Sequence, residues 1–235
     1  VIVHPPAGIA AGDTLTIDLS CDQDAHAVIS TPGATQWYKS SAATPARMAV
    51  QLRLGERAKL DWLPQENILF DHSHAQTHTT LELHPSASAM GWDVCVLGRG
   101  AAGETWQHAS VAQRTTIHRG GKLLWLEDSQ LRSEDALRSN VAALAGHTIM
   151  ATLWAVGERA NSEQAQAYAA SLPYTAALKT GITFLQDNHH VGGAIVLRVL
   201  GHDMENVRRE LIAAWMHFRP LIHSVDAVPL RLWAM

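Results

Sequence analysis

The sequence predicts a mainly β protein: a single β-rich scaffold, β-helix-like or layered as a sandwich, with two α-helices near 162–172 and 203–219. Three observations predict it. Short alternating runs of apolar and polar residues recur through the first two thirds of the chain, bounded by turn residues. Their near-regular spacing argues against alternating strand–helix units. Only two later stretches carry a strong helix signal.

The first organised segment is His4-Pro5-Pro6-Ala7-Gly8-Ile9-Ala10-Ala11-Gly12-Asp13. Two prolines fix φ and remove two backbone donors, so no helix starts here. Gly8 and Gly12 permit a bend or a close approach, and Asp13 stands at the start of a strand. The residues fit an ordinary turn, or a carboxylate held at a strand end. Strands are expected at 14–20, 25–31, 47–54, 58–63, 77–84, 91–97, 114–118 and 122–127. Turn markers separate them: Thr31-Pro32-Gly33, Gly55-Glu56, Pro85-Ser86 and Gly120-Gly121. Further strands are expected at 147–156, 180–186 and 193–200, the last a continuous apolar run of the doubly buried type. The sequence holds no repeat of fixed period.

Ser162 can cap the first helix, with Glu163 in its first turn and Pro173 stopping it. Asp203 caps the second. Met204, Val207, Leu211, Trp215 and Phe218 lie on one face of it, and Pro220 is expected to end it. That face packs on a core or fills a partner's groove.

Across 235 residues, 47% are hydrophobic and 17% charged, and the net charge is −4. This supports a large core and one domain over 1–235, and supplies no basic field for nucleic acid or an acidic membrane. No apolar run approaches the roughly 20 residues of a membrane helix. Two cysteines without CxxC spacing are read as reduced thiols of a cytoplasmic protein. The start at Val1, without a methionine, suggests that an N-terminal segment is lacking. Fourteen His and eight Trp are unusually many, and the Trp residues suit an apolar docking surface.

Several residues are candidates for chemistry. Gly98-Arg99-Gly100-Ala101-Ala102-Gly103 matches a dinucleotide-binding pattern after a strand. The β-branched, alternating run that follows lacks the crossover helix such a site needs. A nicotinamide- or flavin-dependent oxidoreductase using Gly98–Glu104 is the rival reading, against a tight loop holding Arg99 and Glu104. His72, His74 and His78 share parity on an expected strand and are candidates for weak metal binding, or form a solvated polar face. Glu66 follows the apolar Trp62-Leu63-Pro64. Asp93 interrupts an apolar strand, so it must be paired, metal-linked or in a wet channel. No nucleophile or acid–base motif emerges.

These stretches together resemble the urease accessory protein UreD family (UreH in some organisms). His4 to Asp13 looks like its HPPGGxxGGD segment, with Ala7 and Ala11 in place of glycines. Thr31-Pro32-Gly33-Ala34-Thr35-Gln36-Trp37-Tyr38-Lys39-Ser40 is similar to TPGAxKFYRS, with Gln36 in place of a basic residue. Trp62-Leu63-Pro64-Gln65-Glu66 matches WLPQE, and Leu97 to Glu104 matches LGRxxxGE. Trp215 to Pro220 and Pro229 to Trp233 resemble the closing motifs. The resemblance implies a non-enzymatic factor with no tightly bound cofactor and only transient nickel. Such a factor binds UreF, through it UreG, docks on apo-urease and helps deliver nickel through an internal passage. Asp13, Glu66, Asp93 and Glu104 are the candidates to line that passage, with Glu127 added across an alignment gap. Trp215, Arg219, Arg231 and Trp233 are the candidate partner-binding residues.

Overall fold

The computed structural model describes residues 1–4 and 8–233, so Pro5, Pro6 and Ala7 lie outside the described residues. The chain first winds as a solenoid. After the short β1 (Gly8–Ile9), one coil is made of β2 (Thr14–Cys21), β3 (His26–Ser30) and β4 (Thr35–Trp37). The next is β5 (Ala46–Leu54), β6 (Lys59–Leu63) and β7 (Asn67–Leu69). The third is β8 (His74–Leu83) and the long β9 (Ser88–Leu97), and β10 (Ser110–Arg119) starts a fourth. Strands β2, β5, β8 and β10 stack in parallel in one sheet, while β3–β6 and β4–β7 run side by side onto β9 in the other. Thr14 faces Arg47, which faces Gln76, which faces Ala112, so the coils advance 33, then 29, then 36 residues. Unequal coils of this kind leave no fixed period in the sequence.

The chain then reverses. β11 (Lys122–Arg132) returns antiparallel on β10 through Gly120-Gly121. β12 (Ile149–Gly157) runs antiparallel on β9, followed outward by β14 (Gly193–Gly201) and β13 (Leu178–Gln186). The result is two facing sheets, β11-β10-β8-β5-β2 and a nine-stranded one running to β13. All eleven expected strands form. Three short ones were not expected: β1, β4 and β7, of two or three residues, too short to show a period.

The helices differ from expectation at their ends. α1 (Ser162–Ala169) is capped by Asn161, whose side chain accepts the Gln164 N–H at 2.9 Å, and it stops three residues before Leu172. α2 (Met204–His223) is capped by Asp203 as expected but continues through Pro220. Proline removes one helical hydrogen bond. Here Phe218, Arg219, Ile222 and His223, all buried against the nine-stranded sheet, keep the last turn in place. Val207, Leu211, Trp215 and Phe218 pack on Trp92, Val94, Leu153 and Leu197, so the apolar face of α2 is core.

A buried charge cluster fastens that helix. Asp61 on β6 is fully buried and accepts Trp215 Nε1 at 2.7 Å and Arg219 Nε at 3.0 Å. His26 Nε2 lies 3.3 Å from the same carboxylate, and His223 Nε2 lies 3.5 Å from it while its Nδ1 bonds Ser88 Oγ at 2.7 Å. Burial alone would raise Asp61, but His223, Trp215 and Arg219 hold its pKa down at about 2. Trp215 and Arg219, expected at a partner surface, are 1% and 7% exposed and hold α2 to its own sheet instead. Their motif conveys an internal clamp.

Gly91 on β9 leaves room for the Trp154 ring of the neighbouring strand β12. A Cβ there would meet the Trp154 ring at 2.4 Å and the Trp62 carbonyl at 2.8 Å. Gly91→Ala is expected to lower stability by about 1–3 kcal/mol through overpacking, read as a drop in melting temperature.

Candidate functional site: a polar band between the sheets

Between the sheets lie two apolar clusters. One holds Leu60, Trp62, Leu81, Ile117 and Trp154, the other Trp37, Leu69, Trp106, Val111 and Leu131. Four strands, β8, β9, β10 and β12, pass from one cluster to the other, and in between their inward side chains turn polar. On β8, Thr77 and Thr79 separate Ala75 from Leu81. On β10, Gln113 and Thr115 separate Val111 from Ile117. On β12, Thr152 lies between Met150 and Trp154, and on β9 Asp93 lies between Gly91 and Cys95. Alternation along a strand puts these residues on one face.

Asp93 is the acid at the centre of this band. It is half-buried by surface area yet enclosed by protein, because the surface it keeps faces a cleft between the sheets. Burial and the nearby Glu127 charge raise its pKa to about 6, against the Thr115 side chain. Glu127, opposite Thr115 in the β10–β11 hairpin, is bound by Arg198 at 2.5 Å, and Arg198 Nη1 lies 3.5 Å from Thr152 Oγ1.

The cleft beside Asp93 exists because of Pro64-Gln65-Glu66. β6 pairs with Ser88–Gly91 and β7 with Cys95–Leu97, so neither pairs with Trp92, Asp93 or Val94. The proline-bent segment bulges across that gap, with Pro64 O accepting Trp92 Nε1 at 2.7 Å. The cleft, about 170 Å³ and open to solvent, reaches from Leu15 and Ile17 on β2 to Asn67 and Asp93. A second cleft opens at the other end of the sheets, between Trp125 on β11 and Thr183 and Arg198 on β13 and β14. On the β2 side the first cleft is lined by Ile2, Leu15, Ile17, Met48 and Val50, so the polar side chains run from Asp93 through Thr152 and Arg198 towards the β11 edge.

The structure brings Asp93 and Glu127 together; the other acidic candidates lie apart. Glu66 points to the helix side and pairs with Arg208 at 2.7 Å. Glu104 forms a two-pronged pair with Arg99, at 2.9 and 3.1 Å, and Arg99 lies 4.1 Å above the Phe70 ring. Asp13 is exposed and closes its own turn by accepting the Ala10 N–H at 3.0 Å. Gly8 in that segment is needed for close approach, since a Cβ would meet Gln36 O and the Tyr38 ring at 2.5 Å.

The rival site fails on topology. Gly98 and Gly103 frame a single turn of 3₁₀ helix, Gly100–Ala102, and the next element is strand β10. No crossover helix follows to present an N-terminus to a pyrophosphate, so this glycine loop is not a dinucleotide site. The three histidines do not converge either. His74 and His78 lie on β8, where they bond Ser110 Oγ at 2.8 Å and Thr80 Oγ1 at 3.3 Å. His72 lies before the strand with φ of +62° and stacks on His108. Trp233 is half-buried against Trp92 and Trp215, and Arg231 is exposed.

The Asp61 cluster and the Thr-lined band were missed from sequence. Asp61 sits in Lys59-Leu60-Asp61-Trp62-Leu63, the same signal of an acid inside an apolar strand that singled out Asp93. The band could have been read from Thr79, Thr115 and Thr152, each at the inward parity of its strand.

The family model for the UreD urease accessory protein matches residues 1–234. The protein named urease accessory protein UreD from Cupriavidus necator is 49% identical over 234 residues, covering 100% of this chain and 80% of that relative. Relatives of the same name from Ralstonia nicotianae and Bordetella pertussis are 44% and 36% identical, over 100% and 99% of this chain and 79% and 81% of theirs. Among the described residues no helix is long and apolar enough to cross a membrane. With a family model spanning both sheets and α2, and relatives this similar over nearly every residue, the chain belongs to the UreD urease accessory protein family.

Proposed function

We propose that this protein is a non-catalytic urease maturation factor that works in the cytoplasm and passes nickel through the band between its sheets. In this reading it binds UreF, and through it UreG, and docks on apo-urease. One observation carries the reading: Asp93, with the Glu127 charge near enough to raise its pKa, lies among polar side chains beside a cleft open to solvent. Carboxylate, hydroxyl and water oxygens are hard donors, and nickel binds more firmly to imidazole or thiolate. A path lined by oxygens therefore holds the ion weakly enough to release it. Nickel is cargo, with no resident cofactor.

The test is urease activation in cells lacking their own copy, with nickel limiting. Asp93→Ala and Glu127→Gln are each expected to cut activation about tenfold or more, while the purified variants keep the parent's circular dichroism and still co-purify with UreF. Folded variants that activate urease as well as the parent would overturn the passage. Loss of co-purification by the parent chain would overturn the UreF contact.

A further inference from the structure

A second cluster of ligating side chains lies outside the band, at the turn leading into β8. Asp71, His72 and His108 each offer one ligand atom, all within 4.8 Å of one another. Asp71 is held rigidly. Its Oδ1 accepts three backbone N–H groups, from His72 at 2.9 Å, Gln107 at 2.9 Å and His108 at 2.7 Å. Its Oδ2 is turned towards the two imidazoles, 3.4 Å from His108 Nδ1 and 3.7 Å from His72 Nε2. The two rings are nearly parallel, with centroids 4.8 Å apart.

We infer that Asp71, His72 and His108 form a surface site for one divalent transition-metal ion. Ligands about 2.1 Å from a metal lie roughly 3.0–3.5 Å from each other, so the carboxylate–imidazole spacings are already close to what coordination requires. Two imidazoles and one carboxylate are a donor set for nickel, zinc or copper, not for magnesium or calcium. His72 adopts a left-handed φ of +62°, uncommon outside glycine, and that conformation brings its ring onto His108. Both histidine side chains are about half exposed or more, at 48% and 63%, so an ion could enter from solvent and keep coordinated water. Arg99 and Glu104 pair at the same end of the scaffold, with the Glu104 carboxylate close to the Asp71 backbone. Glu104 would then support the ligand turn without touching the ion.

This site rests on no part of the passage reading. The experiment uses the purified chain and the metal alone, nickel chloride or zinc chloride in calorimetric titration, without urease or any partner. One ion per chain is expected. His108→Ala and His72→Asn, the latter chosen because asparagine tolerates a left-handed φ, are each expected to weaken binding at least about tenfold. His78→Ala should bind as the parent does, and all variants should keep the parent's melting temperature without metal. Binding that survives both substitutions, or that is lost in His78→Ala, would overturn the site, as would a parent that binds neither ion. A Glu127→Gln chain that still binds in this titration but fails to activate urease would separate the two sites.

Discussion

Asp61→Ala is expected to remove on the order of 3–5 kcal/mol of folding stability, the cost of leaving a buried partner charge uncompensated. Arg219 is 7% exposed and has Asp61 as its acidic partner; its remaining contacts are the Asp226 carbonyl and the His26 ring. The Trp215 N–H loses its acceptor in the same step. Urea unfolding followed by tryptophan fluorescence reads the loss directly. Acid should mimic it in the parent. The Asp61 pKa is depressed to about 2, so its contribution is complete above about 4 and is lost as pH falls towards 2. Asp61→Ala should lack that part of the acid sensitivity. An alanine variant as stable as the parent would mean that α2 is held by its apolar face alone.

Asp93→Asn should have the opposite sign. Burial and Glu127 raise the Asp93 pKa from 3.8 to about 6, so the charged form is disfavoured in the folded chain. Its favourable contribution is full below about pH 4, falls as pH rises through about 6, and is flat above that. Asparagine keeps the shape and removes the charge. At neutral pH the variant is expected to be more stable than the parent by up to about 3 kcal/mol, with the pH dependence between about 4 and 6 flattened. In cells it should activate urease poorly. A gain in stability with a loss of function is what a cation-handling carboxylate predicts, whereas a structural carboxylate would lose both. Lower stability of Asp93→Asn at neutral pH would sink this account.

Much of the scaffold was legible because each coil obeys a local rule. Alternation marks strands such as 47–54 and 193–200, and Asp203 with Val207, Leu211 and Trp215 marks α2. What was not legible depended on distant partners. Whether Asp61 and Asp93 point to the helix or to the cleft is decided by strand parity relative to a core that only the assembled sheets define. Both read alike in the sequence, yet one is a clamp with its pKa lowered and the other an acid with its pKa raised. Glu127 became a neighbour of Asp93 only through the β10–β11 hairpin. The expectation that Trp215 and Arg219 form a contact surface failed because a motif can reflect an internal ion pair as readily as a partner. His72 left the expected strand because a left-handed turn intervenes, and composition does not reveal that turn.

β9 carries Trp92 towards α2 and Asp93 towards the cleft, and it is gripped on both edges, by β6 and β7 on one side and β12 on the other. A slip of one residue during folding would exchange the two faces, driving a carboxylate beneath the helix and an indole into the cleft. Correct placement of the acid is thus an assembly outcome, enforced by three strands that must all agree. Errors in β6, β7 or β12 would silence Asp93 without altering it. Lesions mapping to those strands would then pass for damage to the acidic site, and only a structural probe of β9 alignment would tell the two apart.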